Sequence, residues 1–239
     1  MIPLIRPEWN APDNVVAYTT MRNGGGSLPP YDSLNVGDHV GDNPAHVLSN
    51  RARLPHSDKI VWLEQVHSNH CVTFPAVERR ADASISRSSE FFCAVMTADC
   101  VPVLLCNTLG TEVAAVHAGW KGLELEIIAS TVRQMESRPE HLMAWVGPAI
   151  SAGCYEVPLN LARRFEAWPD ALVSHPDQGK AWLDLPLIAA IQLQECGISN
   201  VVQSNLCTYS NETQFYSHRR AQHQGLTQTG RQVSVIGML

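Results

Sequence analysis

Three short apolar runs in this chain each stop at a side chain that can bind a metal. They are Leu63-Glu64-Gln65-Val66-His67, Met96-Thr97-Ala98-Asp99-Cys100 and Val113-Ala114-Ala115-Val116-His117. Each predicts a strand with a reactive group at its end. A fold that holds all three must gather strand ends at one edge of its sheets, where sites usually form. Two imidazoles and a thiolate are a common three-ligand set for Zn²⁺, leaving a fourth position for water or substrate. Converging ligands would place their donor atoms within about 4 Å of one another. Spacing alone is not diagnostic. His67 and Cys100 are 33 positions apart, Cys100 and His117 are 17 apart, and no HExxH signature is present.

The rest of the chain surrounds these runs with strands and helices. Asn14 to Thr20 predicts a strand. Arg22 to Val36, with Gly24, Gly25, Gly26, Pro29 and Pro30, predicts a loop. Asp42-Asn43-Pro44 opens a helix to about Leu54, with Asp42 or Asn43 as its cap. Strands are expected at Ile60–Val66, Phe91–Ala98, Val101–Cys106, Glu112–Val116 and Leu142–Val146, with a turn at Asn107–Gly110. A helix is expected from about Gly122 to Glu136, with Leu125, Ile128, Val132 and Met135 as its apolar face. Pro158–Trp168 and Leu185–Cys196 read as helices. Val201–Gln203, Phe215–Ser217 and Gln232–Ile236 read as late strands. Strands outnumber helices and tight turns join several neighbours, which favours mixed β-sheets covered by helices over a strictly alternating parallel fold.

Bulk properties narrow the function classes. The 239 residues are 45% hydrophobic and 17% charged, which suits a single domain over residues 1–239. A net charge of −6 without a basic stripe gives no reason to expect nucleic acid. No apolar run approaches the roughly 20 residues of a membrane span. Met1 to Pro12 carries three prolines with charges between them and lacks the apolar stretch of a signal peptide. Seven dispersed cysteines without CxxC fit a reduced, cytoplasmic setting. A monomer is expected.

Other candidate site residues flank the three runs. Asp99 adjoins Cys100, and on extended backbone it would point away from the thiol. It is expected to orient His67 or His117, or to carry a proton. In His117-Ala118-Gly119-Trp120-Lys121-Gly122 the strand leads through small residues into a helix start, with Lys121 adding positive charge for an anion. Arg219 and Arg220 follow Phe215-Tyr216-Ser217-His218, and Arg22 precedes the glycine loop. A guanidinium grips phosphate or carboxylate with two parallel bonds, so these three arginines are candidate anion contacts.

Several segments together resemble one family. Thr97 to Leu104, Ala115 to Gly122, Gln65-Val66-His67 and Thr208 through Arg220 look like the YfiH family, also called the laccase-domain or multicopper polyphenol oxidoreductase family. The resemblance runs from Arg22-Asn23-Gly24-Gly25 to Thr229-Gly230-Arg231. It implies an α+β fold with mixed β-sheets between helical layers (α/β/β/α), with His67, Cys100 and His117 at the metal-binding and catalytic positions. It implies zinc, with copper carried in the older family name. Two positions depart from the pattern: His218 replaces an aromatic residue, and Ser68 replaces a glycine after the family histidine.

The resemblance also implies an activity. Members have been described as purine nucleoside phosphorylases, so the expected substrates are purine nucleosides (adenosine, inosine, guanosine, S-methyl-5′-thioadenosine) and phosphate, with adenosine deamination as a second reaction. An amidase acting on wrongly built muropeptide precursors, with Cys100 as nucleophile and His117 as base, is the alternative. Copper-dependent polyphenol oxidation ranks lower, because ten scattered histidines without HxH do not make several copper centres.

Overall fold

The structure is a computed structural model that describes residues 2–239, so Met1 lies outside the described residues. The strands are β1 (Leu4–Ile5), β2 (Val15–Thr20), β3 (Ile60–Val61), β4 (Cys71–Thr73), β5 (Ala83–Ser86), β6 (Phe92–Thr97), β7 (Val101–Asn107), β8 (Val113–Ala118), β9 (Leu142–Val146), β10 (Glu156–Pro158), β11 (Leu172–Ser174), β12 (Lys180–Leu183), β13 (Asn200–Gln203) and β14 (Gln232–Met238). The helices are α1 (Pro44–Ala52), α2 (Trp120–Glu124), α3 (Ile127–Gln134), α4 (Leu159–Ala162), α5 (Leu185–Glu195) and α6 (His218–His223).

Two mixed sheets stack face to face. One runs β1-β2-β14-β6-β3 and the other β13-β9-β7-β8-β5-β4. A small third sheet, β10-β12-β11, caps the helical side. The stacking explains why the central strands read as unbroken apolar runs. In β7, Val101, Val103 and Leu105 pack toward the helices, while Leu104 and Cys106 pack between the sheets. The same period-two division separates Ala114 and Val116 of β8 from Val113 and Ala115. Helices α3 and α5 cover the outer face of the six-stranded sheet through Ile127, Ile128, Leu185, Ile188 and Leu193. Tyr18, Phe92, Met96, Val233 and Val235 form the outer face of the other sheet, where Leu54, just past α1, packs on them. Each fully buried side chain of this size is worth about 1.5–3 kcal/mol. The expected α/β/β/α layering is therefore the observed one.

Several expected elements differ. The strand after Ile60 stops at Val61. Farther on, the Gln65 side chain takes the place of backbone pairing: its Nε2 donates to the Met96 carbonyl at 2.8 Å and its Oε1 accepts from the Met96 N–H at 2.7 Å. The helix expected over 122–136 breaks at Glu126, which adopts a left-handed φ of 57°. That break leaves Leu125 exposed and buries Ile127, Ile128, Thr131 and Val132 instead. Residues 158–168 give only α4 and a 3₁₀ turn over Arg163–Phe165. Phe215–Ser217 is no strand; Phe215 and Tyr216 are fully buried, and Ser217 caps α6 by accepting from the Arg220 N–H. Strands β4, β5 and β10 to β12 carry no clear periodic signal in the sequence. Among the described residues no helix is long and apolar enough to cross a membrane.

Candidate metal centre

His117 sits at the end of β8 in the same alternating row as Val113 and Ala115, so it faces the space between the two sheets. Cys100 lies in the tight turn joining β6 to β7. His67 arrives from a loop rather than from a strand end, with a left-handed φ of 59°. The three donor atoms lie within 4.8 Å of one another, and Cys100 Sγ is 3.7 Å from His67 Nε2. His67 is exposed, Cys100 partly exposed and His117 buried, so the cluster opens outward through His67.

A residue that sequence reasoning passed over builds this centre. The Asp82 carboxylate accepts from His117 Nδ1 at 2.8 Å, which leaves His117 Nε2 turned to the cluster. It also accepts from the backbone N–H groups of Val66, His67 and Ser68 and from the Ser68 hydroxyl. This cradle holds the loop that presents His67 in its left-handed conformation, a strained geometry that persists only where the surroundings over-determine it. Burial pushes the Asp82 carboxyl up, but His117 and Ser68 outweigh burial and hold it well below the usual carboxylate range. The one available signal was a charge set inside the small-residue run Ala81-Asp82-Ala83.

Asp99 has a different role from the expected one. Its carboxylate accepts from Thr208 Oγ1 and from the Arg219 N–H, each at 2.7 Å, and touches neither imidazole. It ties the β6–β7 turn, where its own φ is 93°, to the segment leading into α6. Orientation of the histidine passes instead to Asp82.

Gly119 supplies the close approach that the small residues after His117 promised. A Cβ placed there would lie 2.9 Å from Cys100 Sγ and 3.0 Å from His67 Cδ2. Trp120, by contrast, packs against the apolar core on the helical side.

The expected anion contacts are elsewhere. Arg220 is buried and donates to the carbonyls of Thr208, Tyr209 and Phe215, so it holds the fold. Arg219 donates to the Glu156 carbonyl and lies over the Tyr155 ring. Arg22 pairs with Asp32 at 3.2 Å and, with Arg220, lines a separate cavity of about 740 Å³. Lys121 is exposed beside Trp120, and α2 spans only five residues. The arginine that shares a cavity with Cys100 is Arg231, the last residue of the Thr229-Gly230-Arg231 segment. That cavity, about 210 Å³, is lined by His67, Cys100, His117, His39, His218 and Arg231, among others. Arg231 Nη1 bonds to the carbonyls of Thr229 and Gly230; among the described residues its Nε and Nη2 make no hydrogen bond. Partial burial first and the Arg231 charge second hold His39 and His218 below the ordinary imidazole value, so both offer neutral rings to the cavity at pH 7.

Electrostatics set Cys100 apart from the other thiols. Burial pushes it up, yet the imidazoles of His117 and His67 outweigh burial and hold it at about 6. Cys71, Cys93 and Cys106, buried without such neighbours, are pushed up to about 12. The donor chemistry fits a tetrahedral N₂S ion: two imidazole nitrogens, a sulfur primed as thiolate, and a carboxylate on the far nitrogen of one ring.

Known proteins resemble this chain over its whole length. Residues 16–239 match the family model described as multi-copper polyphenol oxidoreductase laccase. A Shigella flexneri protein named purine nucleoside phosphorylase YfiH is 43% identical over 250 residues, covering 100% of both chains. Its Escherichia coli K12 counterpart of the same name is 42% identical with the same coverage. The crystal structure of a Neisseria meningitidis protein superposes with a TM-score of 0.89 at 38% identity, covering 98% of each chain.

Proposed function

The chain belongs to the multi-copper polyphenol oxidoreductase laccase family, and from that premise we propose that it is a metal-dependent purine nucleoside phosphorylase. One observation carries the reading: the His67–Cys100–His117 cluster and Arg231 line the same cavity. Phosphorolysis joins a phosphate oxygen to the sugar carbon and releases the purine, so it needs an anion held beside the reacting sugar. The guanidinium of Arg231, whose Nε and Nη2 make no hydrogen bond among the described residues, provides that hold.

His67, Cys100 and His117 would hold the metal, with zinc favoured by the donor set. When bound, such an ion supplies Lewis acidity and lowers the pKa of a coordinated water to about 7. Asp82 fixes His117 in the tautomer whose Nε2 faces the cluster. His39 and His218 line the cavity as neutral rings able to receive a proton or to hydrogen-bond the purine. Adenosine, inosine, guanosine and S-methyl-5′-thioadenosine are the proposed substrates, and adenosine deamination, which uses water in place of phosphate, is a second proposed reaction. A cytoplasmic, monomeric enzyme is proposed.

The copper oxidase reading gains no support from geometry. Among the described residues, His67, Cys100 and His117 are the one cluster of three metal-donor side chains. The amidase alternative rests on the lowered Cys100 thiol.

The deciding experiment measures metal content of protein purified without a metal-binding tag, then assays nucleosides with and without phosphate. Free purine and ribose 1-phosphate should appear only with phosphate and metal. Release of free purine that ignores phosphate would defeat the phosphorylase reading. Activity on peptides that survives metal removal and is abolished by thiol alkylation would establish the amidase.

A further inference from the structure

A second sulfur cluster lies apart from the metal ligands, and the function proposed above does not use it. Cys207 sits where an isolated parallel bridge pairs it with Ala149. The Thr208 N–H donates to the Ala149 carbonyl and the Ala149 N–H to the Leu206 carbonyl, so the two segments are clamped side by side. From the facing loop, both the hydroxyl and the N–H of Ser151 donate to Cys207 Sγ, at 3.1 and 3.4 Å. Cys154 follows one tight turn later, with its N–H on the Ser151 carbonyl, so that Ser151 is bonded to both cysteines, and its thiol is near enough to Cys207 for that sulfur to influence its titration. Both thiols are partly exposed. Beside Cys207 opens a polar cavity of about 160 Å³, lined also by Ser151, Asp184, Ser204 and Asn205.

The two sulfurs differ in character. Partial burial pushes Cys207 up, but donors from Ser151 and Ser210 outweigh it and hold the thiol at about 7. Cys154 is raised, by burial first and by the neighbouring Cys207 as well. A thiol near 7 carries roughly tenfold more thiolate at neutral pH than an unperturbed one, and exchange is fastest for thiols titrating near ambient pH. A reactive, partly exposed thiolate next to a second thiol is the arrangement of an attacking and a resolving cysteine.

We propose that Cys207 and Cys154 form a thiol–disulfide exchange site, with Cys207 attacking low-molecular-weight disulfides and Cys154 resolving the product. The Cys207 thiolate attacks one sulfur of glutathione disulfide, forming a mixed disulfide and releasing one glutathione thiolate. Cys154, losing its proton to solvent, then attacks the Cys207 sulfur, closing an intramolecular disulfide and releasing the second glutathione. The pair is next to the segment that anchors Asp99, since Thr208 adjoins Cys207 and donates to that carboxylate.

The test incubates metal-loaded, full-length protein with glutathione disulfide at pH 7 and maps the cysteines by mass spectrometry of tryptic peptides. Wild type should show the 154–207 cross-link at least about tenfold more abundant than any adduct at the buried cysteines, in line with the thiolate advantage. Cys154→Ser should instead hold a glutathione adduct on Cys207. Cys207→Ser should lose both the cross-link and any adduct on Cys154. An unmodified Cys207 in wild type, or a cross-link to a different cysteine, overturns the proposal without needing either variant to fold. Neither result bears on phosphorolysis.

Discussion

Asp82 and His117 are bonded twice: the carboxylate accepts from the ring Nδ1 at 2.8 Å, and the Asp82 carbonyl accepts from the His117 backbone N–H at 2.7 Å. One aspartate thereby fixes a buried ligand and, through Val66, His67 and Ser68, the loop bearing the second ligand. Asp82→Asn should lower metal affinity about 10–100-fold, read by competition with a chelating dye, because a carboxylate behind a ligating histidine contributes on that scale. The acid limb of stability should change too. The Asp82 carboxyl is depressed in the folded state, so its stabilisation is complete above the unfolded value of about 3.9 and is lost as pH falls below it. Acid denaturation of Asp82→Asn should therefore be flatter than that of wild type.

Cys100 should react selectively. In metal-stripped protein, iodoacetamide alkylation of Cys100 should have a midpoint near pH 6, while Cys93 and Cys106 stay inert through neutral pH. Replacing His117 by Asn should move the Cys100 midpoint upward, since His117 is the main group holding it down. Cys100→Ser should lose most metal and turnover, whereas Cys93→Ser and Cys106→Ser should change stability with little effect on either. A Cys93→Ser protein that is folded, metal-loaded and inactive would make Cys93, not Cys100, the functional thiol.

Gly119→Ala tests the packing of the ligands. The backbone there has an ordinary φ of −70°, so alanine imposes no backbone strain. Its methyl group would press on Cys100 Sγ at 2.9 Å and on His67 Cδ2 at 3.0 Å. Metal affinity and turnover should fall by more than about tenfold, because ligand geometry is held to fractions of an ångström. The melting temperature should move little. A fully active Gly119→Ala would show that the ligands are not fixed by this approach.

Arg231→Gln tests the anion. A hydrogen bond to a charged group is worth about 1.5–3 kcal/mol, so the KM for phosphate should rise about 10- to 100-fold. Adenosine deamination, which takes water, should change less. Arg231 also packs against Gly37 and its N–H bonds Asn35, so a thermal melt must accompany the kinetics. Equal loss of both reactions at unchanged stability would assign Arg231 to the nucleoside.

What the sequence determined by itself was local. The unbroken apolar runs of β7, β8 and β9 announce strands buried on both faces, and Cys100 and His117 stand beside such runs because each run must end where the sheet does. Asn43-Pro44 marks the start of α1 through capping chemistry written in adjacent residues. Tertiary structure decided what depends on partners far along the chain. Whether Ile60–Val66 stays a strand turned on Gln65 reaching Met96, 31 positions away. Which aspartate orients His117 turned on a contact between residues 35 positions apart, and Asp99, the nearer choice in sequence, is held by Thr208 and Arg219 instead. Arg231 reaches the cavity because β14 lies beside β6 in the same sheet. Periodicity and caps are short-range and survive in one dimension, whereas a buried carboxylate takes its role from whichever donors the fold brings to it.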